Sequence, residues 1–415
     1  MLKLLRIASR NLLRYRRRTL LTGLLITLGI MAVLLFISLA GSFKQLMVGQ
    51  ITDSMIGHLQ VHKKGYVASL DNLPLNMMMK PALTAKTEQA LAELDAVEAW
   101  SPRIKFGAMF SNFSETTNIR LNAVYPQQEQ ATAPLLAGRI IDGGTSNALL
   151  ETGTILVPEL IARGMQVKVG DTIVLVATNQ DGAVNGQTFV VRGILEGISG
   201  PGGRDGYIHI DDARSLLRLQ DNSVSEYAVR LRDPATLPSV MTQLQQGLGQ
   251  LTNQQGKPAL EIHDWEKLSP FANIAAMIDM MTLFIQIMLV AIVLISIMNV
   301  MIMAVYERMR EIGTLAAIGT PPRRILGMFI AEGFLLGLAG SIAGILLSLL
   351  LIAILQFKPI SFAFGRQEDL QLTPVIAAGD VLFISALVIL IAILASLQPA
   401  WKASRMDPIT ALRAV

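Results

Sequence analysis

Residues 305–337 read VYERMREIGTLAAIGTPPRRILGMFIAEGFLLG, a charged stretch set between two long apolar runs. Glu307, Arg308, Arg310 and Glu311 stand at spacings that let them pair at i,i+3 and i,i+4 on a helix. Ile312, Leu315, Ala316 and Ile318 supply an apolar side. Gly319 suits a helix end, and Pro321-Pro322 bar its continuation. The spacing therefore predicts a short amphipathic helix within 305–324, lying at a membrane surface and joining two spans. Physically it is either a surface on which another protein pushes or an interfacial helix that anchors the bundle.

The runs on either side fix the class. The chain has 415 residues, 52% hydrophobic and 16% charged, too apolar for an ordinary soluble protein. Four stretches reach the roughly 20 apolar residues that cross a bilayer: about Thr19–Gly41, Met280–Ala304, Ile325–Leu355 and Val375–Leu397. The third is longer than a span needs, which implies tilt or projection. The first exceeds the about 7–15 residues of a signal-peptide core and reads as an uncleaved anchor. The expected fold is a membrane α-helical bundle of four transmembrane helices with a large α+β extracytoplasmic domain between helices 1 and 2. The expected segments are a basic N-terminal stretch (1–18), helix 1 (19–41), the outer domain (42–273), helix 2 (274–304), the charged amphipathic helix (305–324), helix 3 (325–356), an outer loop (357–374), helix 4 (375–398) and a tail (399–415).

Charge gives the orientation. Residues before Thr19 carry seven basic side chains and no acid, and the 305–324 loop and the tail from Trp401 each carry a net +2. The whole chain is only +4, so the remainder is net negative. By the positive-inside rule both termini and the 305–324 loop are cytoplasmic. The N-terminal basic run and a pI of about 9.3 need no nucleic acid to explain them. The absence of cysteine excludes thiol catalysis, cysteine-ligated metal and disulfides, and a domain of this size buries a sufficient core without them.

Within the outer domain, strands are expected at 56–66, 104–110, 117–124, 186–197 and EYAVRLRD (226–233), at the start of GYIHIDDARSLLRL (206–219), and at the end of LVPELIARGMQVKVGDTIVLVAT (156–178), whose first part reads as a short helix and a Gly-containing turn. Helices are expected at 83–97, with a Thr cap, after Asp at 211–219 and from Asp233 to Gly249. NQDGAVNG (179–186) reads as a hairpin turn. The domain divides into a strand-rich middle and a second part assembled from its flanks. NLPLNMMMKP sets Met77, Met78 and Met79 between two prolines, either as an adaptable cargo contact or as a buried loop. SGPGGRDG (199–206) reads as a Gly-rich loop.

Catalytic patterns are missing. Gly256-Lys257 lacks the upstream glycine register of a phosphate-binding loop, and Pro258 replaces its Ser/Thr. His58 and His62 on one strand face would stand about 13 Å apart, too far to share a metal. No metal site, nucleophile elbow or cofactor site is expected in the chain. Glu332 falls one to two turns inside the third span, where a lone carboxylate is costly and usually functional or paired. Gly333, Gly337 and Ser341 recur at four-residue spacing, with Gly340 and Gly344 beside them, and read as a helix-packing face.

ERMREIGTLAAIGTPPRRI resembles the coupling segment of FtsX-like ABC permeases. The resemblance extends to EGFLLGLAGSIAGILLS (332–348), to PAWKASRMDPITALRAV (399–415) and to RNLLRYRRRTLLTGLLITLGI (10–30). More loosely, GMQVKVGDTIVLVAT and VVRGILEG resemble the outer domains of macrolide-exporter-type and lipoprotein-releasing-type permeases. The resemblance implies coupling to an ATPase through Glu307, Arg308, Arg310, Glu311, Gly313 and Gly319, an intramembrane acid at Glu332, and a C-terminal motif at Pro399, Asp407, Pro408 and Leu412. It implies two separate ABC ATPase subunits holding ATP and magnesium, a second permease chain (most simply a homodimer) and a place in the bacterial inner membrane. The implied task is extraction or export of lipoprotein or lipid-like cargo; the alternatives are drug or peptide efflux with a periplasmic adaptor, or mechanical regulation of a cell-wall hydrolase. Two features depart from the resembling permeases: the macrolide-exporter type carries its ATPase in the same chain whereas no ATPase motif is present here, and Gly319-Thr320-Pro321 replaces the family's frequent Gly-Ala-Ser.

Overall fold

The computed structural model describes residues 2–14, 16–143, 149–196, 201–253, 256–269, 271–364, 367–407 and 411. The chain forms two units, Met1–Leu46 together with Ala275–Val415, and Met47–Ile274. It opens with α1 (Leu2–Arg14) and α2 (Arg16–Ile51), and α2 ends in a π turn over Thr52–Ile56. Gly57 follows at φ +72°, where a Cβ would stand 2.8 Å from Val229 O, so only glycine fits this exit.

The second unit runs β1 (Leu59–Lys63), α3 (Pro81–Ala92), β2 (Val97–Ser111), β3 (Thr116–Val124), α4 (Pro126–Thr132), β4 (Ile140–Gly143), β5 (Thr154–Pro158), α5 (Glu159–Gly164), β6 (Thr172–Thr178), β7 (Val184–Leu195), β8 (Asp205–His209), α6 (Ile210–Leu217), β9 (Glu226–Leu231), α7 (Leu237–Leu248), β10 (Leu260–Asp264) and α8 (Trp265–Leu268). These strands form one sheet in the order β10-β1-β9-β2-β3-β8-β5-β7-β4, with β6 paired to both β2 and β7. The ladder β2-β3-β8-β5-β7-β6 thus returns to β2 and closes a ring. Phe106, Phe110, Leu121, Val157, Leu175 and Phe189 fill its interior. The other half of the sheet packs with α3 and α7 around Leu59, Val61, Leu91, Val229, Val240 and Leu244. Ring closure pairs β2 on both edges over Met109–Ser111, between β3 and β6.

Strand β2 belongs to both halves. Its register with β9 runs from Val97↔Leu231 to Arg103↔Glu226, and its register with β3 from Arg103↔Val124 to Ser111↔Thr116. Arg103 marks the branch and is fully buried. Its Nε and Nη2 donate to Glu129 Oε2 and Oε1 at 3.0 and 2.6 Å, and its Nη1 donates to Glu226 at 3.4 Å. Lys105 Nζ lies 2.8 Å from the same Glu226 oxygen. Burial alone would raise the Glu226 carboxyl, but Lys105, His62 and Arg103 outweigh it and hold the group well below the usual carboxylate range. Burial pushes the neighbouring Tyr207 hydroxyl up to about 12.

Several local expectations are revised. Helix α3 starts earlier, at Pro81, with Lys80 as N-cap; Thr84 bonds back to Pro81 O instead of capping. The N-cap of α6 is His209, whose Nδ1 accepts from Asp211 N, not an aspartate. The first strand is shorter than 56–66, because the π turn occupies residues up to Ile56. Met78 and Met79 are not a surface: Met78 sits in the ring core and Met79 in the flanking core, where its backbone pairs with Val224. A three-residue 3₁₀ turn over Leu75–Met77 feeds them inward. Of the three methionines only Met77 keeps partial exposure.

The chain continues through α9 (Ala272–Glu307), α10 (Met309–Ala317), α11 (Pro322–Phe357), the antiparallel hairpin β11 (Ile360–Phe364) and β12 (Gln367–Leu372), and α12 (Ala378–Ser404). The hairpin stands where a plain loop over 357–374 was expected. Among the described residues four helices are long and apolar enough to cross a membrane: Thr19–Ile56, Ala272–Glu307, Pro322–Phe357 and Ala378–Ser404. Three are much longer than the roughly 20 residues a bilayer requires.

Small residues set how these helices meet. A Cβ on Gly333 or Gly337 would lie 2.7 Å from Ser396 Oγ or Ala392 Cβ of α12. One on Gly340 or Gly344 would lie 2.5 Å from Ile26 Cγ2 or 2.8 Å from Ile30 Cβ of α2. Helix α11 therefore presents two glycine pairs to two neighbours, and Ser341 is buried between them.

Candidate functional site

The connector between α9 and α11 is tighter than the 305–324 segment read from sequence. Helix α9 continues to Glu307, Arg308 stands outside helical geometry at φ −110°, ψ 20°, and α10 runs only from Met309 to Ala317. Its end is a Schellman motif: Gly319 N donates to Ala316 O and Thr320 N to Leu315 O, both at 3.0 Å, with Gly319 at φ +90°. Pro321 then caps α11 in extended geometry, and Pro322 takes its first position.

The charges on this connector do different jobs. Glu307, Arg310 and Glu311 are exposed, as are Thr314, Ala317 and Ile318, the last at 77%. Ile312 and Gly313 are buried, with Ile312 in the core that includes Ile325, Met328 and Phe329. Arg308 turns inward and is only 5% exposed. Its Nη1 donates to Glu332 Oε1 at 2.7 Å and its Nε to Glu311 Oε2 at 3.1 Å. The guanidinium lies 5.8 Å from the centroid of the Phe329 ring. Arg308 is thus a buried tie, and the exposed face of the connector is left to its neighbours.

Glu332 is 1% exposed and does not snorkel. It is shared between Arg308 and Asn11 of α1, whose Nδ2 donates to the same Oε1 at 2.8 Å. One helical turn away, Arg14 Nη1 lies 3.2 Å from Glu311 Oε1. The site is therefore a clasp of five polar side chains, Asn11, Arg14, Arg308, Glu311 and Glu332, holding α1, α10 and α11 together. Sequence reading placed three of these and missed Asn11 and Arg14, because it took residues 1–18 as topological charge alone. The signal was present: LKLLRIASRNLLR is amphipathic at helical spacing, with Ala8 buried in the structure.

At the far end, Pro399 is buried inside α12, and Asp407 O accepts from Ala411 N at 3.0 Å. Arg405 stacks over Trp401 at 4.6 Å. Pro408 and Leu412 lie outside the described residues. In the outer unit, His58 and His62 do not share a face of one strand: His58 precedes β1 and its Nδ1 accepts from Leu231 N at 2.9 Å. His62 is fully buried, stacked on Tyr66, with Nε2 3.4 Å from Glu226 Oε2. Among the described residues no group of His, Asp and Glu has the arrangement to hold a metal.

Two family models match the chain, the first over helix α2 and most of the second unit, the second within the membrane unit. The MacB-like periplasmic core domain matches residues 19–246, and the FtsX-like permease C-terminal domain matches residues 283–408. The chain belongs to the FtsX-like ABC permeases. The chain is 22% identical over 410 residues to the lipoprotein-releasing system transmembrane protein LolC of Neisseria meningitidis, covering 94% of this chain and 92% of that protein. It is 27% identical over 337 residues to the macrolide export ATP-binding/permease protein MacB of Bdellovibrio bacteriovorus, covering 77% of this chain and 48% of that protein. With the pyoverdine export ATP-binding/permease protein PvdT of Pseudomonas putida it shares 32% identity over 235 residues, 54% of this chain and 33% of that protein. The chain thus spans about half or less of these two ATP-binding/permease relatives. As an FtsX-like permease it is a membrane protein whose unit Met47–Ile274 is the MacB-like periplasmic domain.

Proposed function

We propose that this permease converts the motion of two separate ABC ATPase subunits, which hold ATP and magnesium, into movement of its periplasmic unit. The observation that carries this reading is the clasp. Exposed α10 side chains offer a contact surface, and Arg308 and Glu311 tie that helix to Glu332 of α11 and Arg14 of α1. A push on α10 therefore moves α11 with it, because the buried Arg308–Glu332 pair resists separation, and α1 follows through the Asn11 bond to the same Glu332. Helix α9 joins α10 directly and spans 36 residues, about 54 Å at 1.5 Å per residue, long enough to act as a lever beyond a bilayer.

The cargo in this reading is a lipoprotein or lipid-like molecule released at the outer side of the inner membrane, with both termini cytoplasmic. Its support is the relation to LolC over nearly the full length of both chains. The relation to MacB and PvdT favours a second reading, efflux of a small molecule or peptide with a periplasmic adaptor. The working form in either case is a pair of permease chains.

Gentle-detergent purification of the tagged chain, with mass spectrometry of proteins and lipids together, tests this. A stoichiometric ATPase with acylated protein is expected. An ATPase with an adaptor moves the task to efflux, and no ATPase at all defeats the coupling reading. In the reconstituted complex, Glu311→Lys with Gly313→Pro should abolish cargo-stimulated ATP hydrolysis while the periplasmic unit stays folded. Unchanged stimulation would sink the role of α10.

A further inference from the structure

Strand β2 changes partners along its length and leaves a gap. Pairing with β9 ends at Arg103↔Glu226, and pairing with β6 covers only Met109↔Val176 to Ser111↔Val174. Ser225 fills the first step: its N–H donates to Arg103 O, and its hydroxyl accepts from Lys105 N. Main-chain groups of a strand alternate between its two edges. Gly107 therefore turns its N–H and C=O to the same edge as Arg103 and Lys105, and among the described residues no strand pairs with it there. Extending the β6 register places Thr178 opposite Gly107, outside the ladder.

A groove of about 860 Å³ opens along this gap. Phe106, Ala108 and Ala177 line it, yet their side chains belong to the ring core, so the wall they give is main chain. Gly107 is its exposed floor, and a Cβ there would meet nothing within 4 Å. The exposed carboxamides of Asn72, Asn76 and Asn118 border it, and Met109 and Val184, 47% and 65% exposed, add apolar contact. Exposed Arg204 also lines it.

We propose that this groove binds an extended polypeptide segment of a partner protein by strand addition at Gly107. Unpaired strand edges take extended main chain, which satisfies donors and acceptors in alternation, while pockets beside the edge select side chains. Carboxamides match peptide groups in both donor and acceptor. Arg204 favours an acidic residue in the bound segment. The ring of Phe106 points into the core, so it offers no stacking face for a sugar. The groove lies wholly within the periplasmic unit, so the outcome does not depend on whether an ATPase drives the chain.

The test uses the full chain in nanodiscs and a labelled, end-blocked octapeptide, Glu-(Thr-Val)₃-Glu, followed by fluorescence anisotropy. Saturable binding is expected, with slower hydrogen exchange at 104–109. A copy N-methylated at alternate residues has the same charge but lacks half of the main-chain donors, and should bind at least about tenfold more weakly. Gly107→Leu fills the floor without a clash and should weaken binding to a similar extent, whereas Gly107→Ala should stay close to the parent. No saturable binding up to about 1 mM would overturn the proposal. So would equal binding of the N-methylated copy, indifference to Gly107→Leu, or binding of a chitin tetrasaccharide in place of the peptide.

Discussion

Glu332 and Arg308 show what a buried charge requires. A carboxylate on a spanning helix is tolerated here because one guanidinium and one carboxamide converge on a single oxygen. Removing Arg308 leaves the Glu332 carboxylate buried without a counter-charge, so Arg308→Met should cost about 3–5 kcal/mol, while Arg308→Met with Glu332→Leu should recover most of the loss. Thermal unfolding of the two variants in nanodiscs reads this directly, and equal destabilisation by both would show that the pair does not act as a unit. In the periplasmic unit, burial lowers both His58 and His263 below the usual imidazole value. The unfolded chain then binds protons near pH 6.5 that the folded domain refuses. That stability is present above about pH 6.5 and declines as the pH falls below it. His58 adds a geometric reason, since its Nδ1 accepts the Leu231 N–H and protonation would remove the acceptor. His58→Gln should therefore flatten the fall in thermal midpoint between pH 7 and 5.5; an unaltered slope would assign it elsewhere.

At the scale of elements, the connector and α11 are built by glycine. Gly319 reverses the chain after α10 in a conformation that other residues reach only with strain. The glycines of α11 work by absence of a side chain, not by backbone freedom. Gly340→Leu should overpack the contact with Ile26 of α2 and cost about 1–3 kcal/mol, whereas leucine at exposed Ile342 on the same helix should be neutral. Unfolding midpoints that fail to separate these two variants would argue against close packing of α11 on α2. The five-residue clasp belongs to this scale as well: α1 is held by two polar contacts to different helices.

Over the whole molecule, the periplasmic unit is one continuous stretch of chain with its own cores, and its sheet turns on Arg103. Below that residue β2 pairs with β9; beyond it, with β3 and then also β6. The Arg103–Glu129–Glu226–Lys105 network fixes the point where the flanking half meets the closed ring. Residues 57–271 expressed alone should fold and unfold in a single transition. Glu226→Gln should lower that transition by several degrees at pH 7, because Arg103 and Lys105 would lose a buried counter-charge. Two separate transitions in the parent domain would show that the halves are energetically independent.

The amino-acid sequence alone determined the class: four apolar runs, a mixed domain between the first two, and a charged connector whose Gly and Pro residues end one helix and start the next. These were legible because hydrophobic run length and turn chemistry act locally. It also marked Glu332 as costly and the α11 glycines as a packing face, since both depend on composition within one helix. Tertiary structure alone decided which groups meet. Asn11 reaches Glu332 across 321 residues of sequence, Arg308 points inward although its neighbours do not, Met78 and Met79 are core, and β2 opens a gap at Gly107 between its successive partners. Such pairings rest on contacts between distant segments, which periodicity does not encode.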